Sequence, residues 1–532
     1  MHDTWGHGQL LAFSGIDGAT DYATGLTLRT IGPGCALAAK LPGVAEITID
    51  AQPPARCLIG GDHLDLTLAD GRRVRGALLD AWHLLLEGPV TIGAIEPAIR
   101  IVQRGERTLV ASAAHCRPEA IAADLDLALA ARRRWVGASP LLPLGPSVGK
   151  ALSQLKSMVY APEGILRHRW STPDRWPHRG CWLWDSAFHA IGARHVDVSL
   201  ARDLLSAVLD GQRPDGRVPL RIDPDGTCHP EYTQPPTLAL ATWCVEHTAR
   251  APEWAATMAA GIERSLDWDL AHRDGGNGLP YWAIEGNLNC RSGESGLDNA
   301  SRFDSATRME AVDFASFLTL EYELLGRLYA RDGRSGDSQR CAAKAEKLRG
   351  LIRTRLWDEA SGFFRDRDLE HDGFCLVAAV TGFLPLICGA ATPAQAQRLA
   401  ERLADPAWFG TRVPLPSVAR TDPTYTDDMW RGPVWVNMVW LVSAGFARYG
   451  LHAEATRLRT AMVAEIERWR ASHGTFFEYF DADGVIPPDR LRRKGRLAPD
   501  VSFYHQCFHD YGWTATLYLD LVCAKDWPLP AI

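Results

Sequence analysis

The stretch PVWVNMVWLVSAGFA, from Pro433 to Ala447, is apolar on nearly every side of a helix drawn through it. A helix without a polar face has to be buried all round. It therefore needs a jacket of other elements, and the chain beyond residue 140 supplies them. Helical periodicity recurs over 148–158, 184–192, 198–210, 235–249, 254–271, 310–331, 337–355, 374–386, 393–403, 432–448, 452–469 and 508–523. Some of these runs are half polar, such as SQRCAAKAEKLRGLIRTRLW from Ser338 to Trp357, and others are almost wholly apolar. Alternation of the two kinds suits an inner ring of helices enclosed by an outer ring. Six helical hairpins close such a ring, so the expected fold is mainly α, an (α/α)6 barrel. Pro433 suits the first turn of its helix, where a missing N–H costs nothing.

The start of the chain behaves differently. GLTLRTI, AEITIDA, HLDLTLA, RVRGALL and AIRIVQR are short alternating runs separated by Gly, Pro and Asp. They predict an N-terminal antiparallel β-sandwich-like domain. Residues 1–125 are expected to form this β-rich domain, 126–147 a linker helix, and 148–532 the barrel. A length of 532 residues fits one large toroid with an appendage. A formal net charge of −7 argues against a nucleic-acid partner or an anionic membrane surface. No run of about 20 apolar residues suggests a membrane span, and MHDTWGHGQLLAFSG lacks the basic-then-apolar pattern of a secretory signal. Twelve Cys without a CxxC pair give no reason to expect a metal or other cofactor. Reduced thiols and a cytoplasmic location follow as expectations. The oligomeric state is not legible.

Five long polar connections, 159–184, 211–235, 272–310, 404–431 and 470–507, are too aromatic for disorder. Alternate loops of a barrel emerge at one end, so these predict one shared pocket. The 19 Trp favour a small carbohydrate as the substrate, because indole faces stack on sugar rings.

Five loop-to-helix junctions hold the residue types suited to chemistry. In TPDRWPHRGCWLWDSAFHAIGA, Asp185 stands at a helix entry, where it either caps free backbone N–H groups or holds sugar hydroxyls. Trp182, or Trp184 in its place, is a stacking candidate. QRPDGRVPLRI and the following EYTQPPTLALA carry turn chemistry together with Arg217 and Gln234 as contact candidates. ESGLDNASRFD crowds three acids around Gly296 and Arg302, with a solvated loop and a salt bridge as the plain alternative. DDMWRGPVWVN sets Trp430 and Arg431 at the mouth of the all-apolar helix. GTFFEYFDADG sets Glu478 among aromatics, where desolvation raises a carboxyl pKa, or else on an edge strand facing water. Trp282 and Arg291 complete the contact candidates, and Arg179, Arg217 and Arg291 suit a substrate carboxylate. Glycosidic hydrolysis needs two carboxyl groups across such a pocket. Composition and spacing do not choose the two.

In these junctions the chain resembles glycoside hydrolase family 63, which includes processing α-glucosidases and bacterial mannosylglycerate and glucosylglycerate hydrolases. More distantly it resembles the trehalases of family 37. The likeness is carried by WLWDSAFHAIGA, ESGLDNASRFD, WRGPVWVN, FFEYFDADG and the closing HDYGWTATLYLDL, in the family's order. The resemblance implies an (α/α)6 barrel and inverting hydrolysis of an α-linked glucoside or mannoside. It implies Asp298, in SGLDNASR, as the general acid and Glu478, in FFEYFD, as the general base. Asp185 matches a substrate-contacting position, and Trp430 and Arg431 match the pocket floor. NAS replaces the common NSP and VWVN the common VWPN, and neither change touches a carboxylate. Inversion implies carboxyl groups roughly 6.5–9.5 Å apart. Glu294 and Arg302 are then expected to position the loop, and Asp304 to be structural near Arg308.

Two readings compete with hydrolysis. SFYHQCFHDYGW offers Tyr504, His505 and His509 to a polysaccharide lyase, and the spacing of His505 and His509 also suits a metal if both lie on one helix. No third ligand is apparent. A non-catalytic carbohydrate-binding protein would use the same scaffold.

Overall fold

The computed structural model describes residues 6–31, 35–49, 52–287, 289–495 and 507–532. Eleven strands come first: β1 (Leu10–Ala12), β2 (Thr27–Ile31), β3 (Ala36–Leu41), β4 (Ala45–Thr48), β5 (Arg56–Ile59), β6 (His63–Thr67), β7 (Arg73–Asp80), β8 (His83–Glu87), β9 (Thr91–Ile95), β10 (Ile99–Arg104) and β11 (Arg107–Ser112). They pair antiparallel in two sheets, ordered β1-β2-β3-β4-β9 and β10-β11-β8-β7-β6-β5. Alternation decides which side chains meet between them. Leu11, Leu28, Leu37 and Ile47 face Leu64, Leu66, Leu84 and Leu86 across the sandwich core. The opposite face of the second sheet is covered by α1 (Leu125–Gly137), through Leu125 and Leu129 against Leu85 and Leu109.

Eleven further α-helices follow: α2 (Pro146–Met158), α3 (Leu183–Ala193), α4 (Val198–Asp210), α5 (Leu238–Thr248), α6 (Pro252–His272), α7 (Val312–Arg331), α8 (Ser335–Arg355), α9 (Pro393–Ala404), α10 (Val436–Arg448), α11 (His452–His473) and α12 (Gly512–Cys523). A ring runs α3, α5, α7, the 3-10 helix Val380–Leu386, α10 and α12, and closes where α12 packs on α3. Every residue of α3 and α10 is buried, as a helix enclosed on all sides must be. The helices α2, α4, α6, α8, α9 and α11 lie outside. This is an (α/α)6 barrel with a β-sandwich in front of it. Among the described residues no helix is long and apolar enough to cross a membrane.

Two elements differ from expectation. The helix expected over 374–386 is only the 3-10 helix Val380–Leu386, with Pro385 inside it. Proline has no N–H for an α-helical bond and clashes with the preceding turn. Pro433 lies outside its helix, because α10 begins at Val436. Val434 instead exchanges backbone hydrogen bonds with Phe480, at 2.8 and 3.0 Å. That pairing ties the approach to α10 to the loop that carries Glu478.

The sandwich and barrel join through buried charge. Lys156 of α2 donates to Asp62 at 2.6 Å and pairs with Asp17 at 2.7 Å. A buried ammonium needs such partners.

Candidate active site

A cavity of about 300 Å³ opens at one end of the barrel. That is the lower end of the range for small-molecule sites. All five long connections reach it, contributing His178, Tyr232, Asp298, Trp430 and Glu478 among others. The residues immediately before α3, α10 and α12, namely Trp182, Trp435 and Tyr511, also line it. Three helix N-termini therefore face one space, and the positive ends of their dipoles favour negative charge there.

The segment around Asp298 is built by its neighbours. Gly296 has φ +71°, and a Cβ there would meet the Trp184 ring at 2.3 Å, so only glycine fits. The Asp298 carbonyl accepts from Arg291 N–H at 2.6 Å and Ser292 N–H at 3.2 Å. Asn299 accepts the Trp430 N–H at 3.0 Å, which joins this loop to the approach of α10. Glu294 is fully buried and holds three segments together. It accepts from Thr233 N–H, Ala283 N–H and the Arg273 guanidinium. Asp304 is paired twice by Arg431, at 2.6 and 2.8 Å. Arg302 leaves its own loop and is buried against Asp313 and Asp366. Of the three acids in ESGLDNASRFD, Asp298 alone lines the cavity, with Lys494 Nζ at 2.8 Å from its Oδ2; Glu285, earlier in the same connection, lines it as well.

Glu478 is 1% exposed, so it does not lie on a water-facing edge strand. Its Oε2 accepts from the Phe508 N–H at 3.3 Å and from Arg493 Nε at 3.3 Å. Burial pushes its carboxyl above the ordinary range, opposed by Arg493 first and then His178. His178 lines the cavity, and its Nδ1 is held by Asp174 at 2.9 Å.

Asp185 is in the first turn of α3, but the cap position belongs to Trp182, so Asp185 is not the N-cap. Its Oδ1 is buried without a protein partner among the described residues. Burial pushes this carboxyl well up, helped by the charges of Asp174, Glu478 and Asp298. Trp430 stacks on Trp435 with ring centres 3.8 Å apart. The Nε1 atoms of Trp430 and Trp513 are also buried without a protein partner among the described residues. Gln234 lines the cavity while accepting the Trp184 N–H at 3.2 Å, and both Trp182 and Trp184 reach the space.

Five predicted contacts lie elsewhere, each because its polar groups are already engaged. Arg217 donates to the His229 and Tyr232 carbonyls, both at 3.0 Å, and so shapes the loop behind the wall. Trp282 is fully buried, stacked on Phe314 at 3.8 Å and bonded to Asp313. Arg291 donates to the Phe303, Asp304 and Glu285 carbonyls. Arg431 is taken by Asp304. Arg179 binds the Tyr22 carbonyl and lies over the Tyr22 ring. None of the three arginines expected to meet a carboxylate lines the cavity. Among the described residues, the cations that do are Arg493 and Lys494. Their signal in the sequence, RLRRKG, is that of a solvated charge run. Tyr504 and His505 lie outside the described residues. His509 is buried with its Nδ1 on the His7 carbonyl, away from the cavity.

An (α/α)6 barrel whose indole-walled pocket is lined by the carboxyl groups of Asp185, Glu285, Asp298 and Glu478 is the architecture of a glycoside hydrolase. The family model of the mannosylglycerate hydrolase MGH1-like glycoside hydrolase domain matches residues 178–484, and the chain belongs to that family. The mannosylglycerate hydrolase of Rubrobacter radiotolerans is 26% identical over 471 residues, 71% of this chain and 98% of that protein. The crystal structure of the GH63 mannosylglycerate hydrolase from Thermus thermophilus in complex with glucose is 25% identical. It superposes with a TM-score of 0.56, covering 70% of this chain and 99% of that one. A bacterial glucoamylase complexed with acarbose is 10% identical with a TM-score of 0.62, and that shared fold covers 100% of this chain and 96% of the other.

Proposed function

We propose that this chain hydrolyses an α-linked glucoside or mannoside with inversion at the anomeric carbon, using Asp298 as general acid and Glu478 as general base. The observation that carries the reading is that these two carboxyl groups, from separate connections, line one Trp-walled cavity in unlike surroundings. Glu478 is buried against a guanidinium, and Asp298 is one-fifth exposed beside an ammonium. Asp298 donates a proton to the glycosidic oxygen as the bond to the sugar breaks. Glu478 takes a proton from a water attacking the opposite face of the ring, and the sugar leaves with its configuration inverted. An elevated carboxyl at Glu478 places the acid limb of activity above the ordinary carboxylate range, because the base must be ionised.

Trp430 and Trp513 Nε1 and Asp185 Oδ1 are the buried polar atoms left for sugar hydroxyls, since buried groups of this kind are paired in a complete complex. Asp185 in its neutral form offers a donor as well as an acceptor. The relatives' names point to a glycosyl-glycerate, whose aglycone is an anion. Lys494 is the cation placed to meet it. The Lys494–Asp298 pair is a resting arrangement, and the acid parts from Lys494 to carry its proton. A substrate carboxylate arriving at Lys494 supplies the replacement counter-ion. In this reading residues 148–532 carry the chemistry and residues 1–125 support it.

Asp298→Asn and Glu478→Gln test the roles. Each is expected to lower kcat on glucosylglycerate or mannosylglycerate by roughly 10²–10⁴-fold with the melting temperature preserved. Wild-type turnover in either folded variant would remove that residue from the mechanism. Binding of these glycosides by the unaltered chain without any turnover would favour the non-catalytic alternative.

A further inference from the structure

The β-sandwich meets the barrel behind the catalytic pocket, and Arg29 makes the central contact. It lies on β2, on the face opposite Leu28, and is fully buried. Its guanidinium donates to the carbonyls of Asp174 and Trp176, both at 2.6 Å, and to that of His509 at 3.2 Å. Beside it, Leu10 N–H donates to Asp510 Oδ2 at 2.8 Å. The approach is close: a Cβ on Gly8 would fall 2.5 Å from the His509 ring.

These anchors lead directly to the carboxylate assigned as base. The Asp174 carboxylate receives the His178 N–H at 2.8 Å and Nδ1 at 2.9 Å, which sets the ring in the pocket wall. The His178 ring meets Phe508 edge-on, with centres 4.8 Å apart. Phe508 holds Glu478 twice. Its N–H donates to Oε2 at 3.3 Å, and its carbonyl accepts the Glu478 N–H at 2.9 Å. The residues following Phe508, His509 and Asp510, are the ones fastened to β2 and β1. Glu478 is therefore located from two directions by one arginine of the other domain.

We propose that the β-sandwich is a working part of the catalytic site, and that Arg29 is a positioning residue that sets Glu478 and His178 from across the domain junction. The proposal rests on the reading of Glu478 as base. Arg29 touches neither substrate nor reacting atoms. Its effect belongs to the chemical step, since a small misplacement from outside a site lowers turnover steeply.

The test compares full-length Arg29→Met and Arg29→Lys with the unaltered protein, measuring kcat, KM and the affinity for glucose as a probe of the sugar subsite. The expected result for Arg29→Met is kcat lower by roughly 10–100-fold, with KM and glucose affinity little changed. Arg29→Lys, which keeps a buried donor, is expected to recover part of the loss. Should Arg29→Met not fold, Asp174→Asn breaks the same chain one link further on. It is expected to lower kcat at unchanged glucose affinity. Wild-type kcat in the folded Arg29 or Asp174 variants would overturn the proposal. So would parallel loss of turnover and glucose affinity with no recovery in Arg29→Lys. No turnover by the unaltered chain would instead count against the assignment of Asp298 and Glu478.

Discussion

Lys494 takes a left-handed backbone conformation, φ 56°, that non-glycine residues seldom adopt, and it places an ammonium 2.8 Å from Asp298. Its neighbour Arg493 turns to Glu478, so one short segment supplies a cation to each carboxylate. Lys494→Met tests the assignment to an anionic aglycone. With Lys494 present, glucosylglycerate is expected to be cleaved faster than glucosylglycerol. In Lys494→Met that preference is expected to fall by about one order of magnitude, the worth of a charge-assisted hydrogen bond. Relative kcat/KM for the two substrates measures it, and an unchanged ratio would free Lys494 from this role. At this scale the sequence is legible where a short motif carries the information. Asp298 is set apart from Glu294 and Asp304 by the resemblance that SGLDNAS carries, and its role as acid is the proposal made above. The partners of those two acids, Arg273 at the start of the same connection and Arg431 in another, are brought near only by the fold. A different reason hid the engagement of Arg217, Trp282 and Arg291: a side chain engaged by neighbouring segments has the same letter as one facing a ligand.

Among the elements, α5 begins just after Gln234, and its cap residue Thr237 makes no side-chain cap bond. Glu321 of α7 replaces it, accepting from Ala239 N–H at 2.6 Å and Leu240 N–H at 2.8 Å. Burial raises this carboxyl from 4.5 to about 7. The native state then holds a proton that the unfolded chain has released between those two values. Stability from this group is full below the unfolded value and falls as pH rises to the folded one. The loss is about 3.5 kcal/mol at most, taking about 1.4 kcal/mol for each unit. Glu321→Gln keeps an acceptor without the charge, so denaturant unfolding between pH 5 and 7.5 is expected to show a flatter profile for the variant. Identical slopes would show that Glu321 does not titrate in this window. Helices were the most legible elements, because long runs of period 3.6 leave little choice. The segment 374–386 misled because its apolar residues suit a helix while Pro385 limits it to a 3-10 turn. Pro433 misled because strand-like pairing of Val434 with Phe480 outweighs a good first-turn residue.

For the whole molecule, the five aromatic connections were legible as one pocket, since a closed barrel returns alternate loops to the same end. The contribution of the sandwich was not. In TLRTI, Arg29 reads as the outward residue of an alternating strand. Outward from the sandwich core is inward to the barrel junction, and only the packing of one domain on the other shows that. The central claim belongs to this scale, because inversion needs acid, base and sugar assembled by loops from the whole ring. It is tested most directly by proton NMR of the first turnovers on an α-glucoside or α-mannoside, before mutarotation. The account predicts the β-anomer of the released sugar as the initial product. Initial appearance of the α-anomer would contradict it.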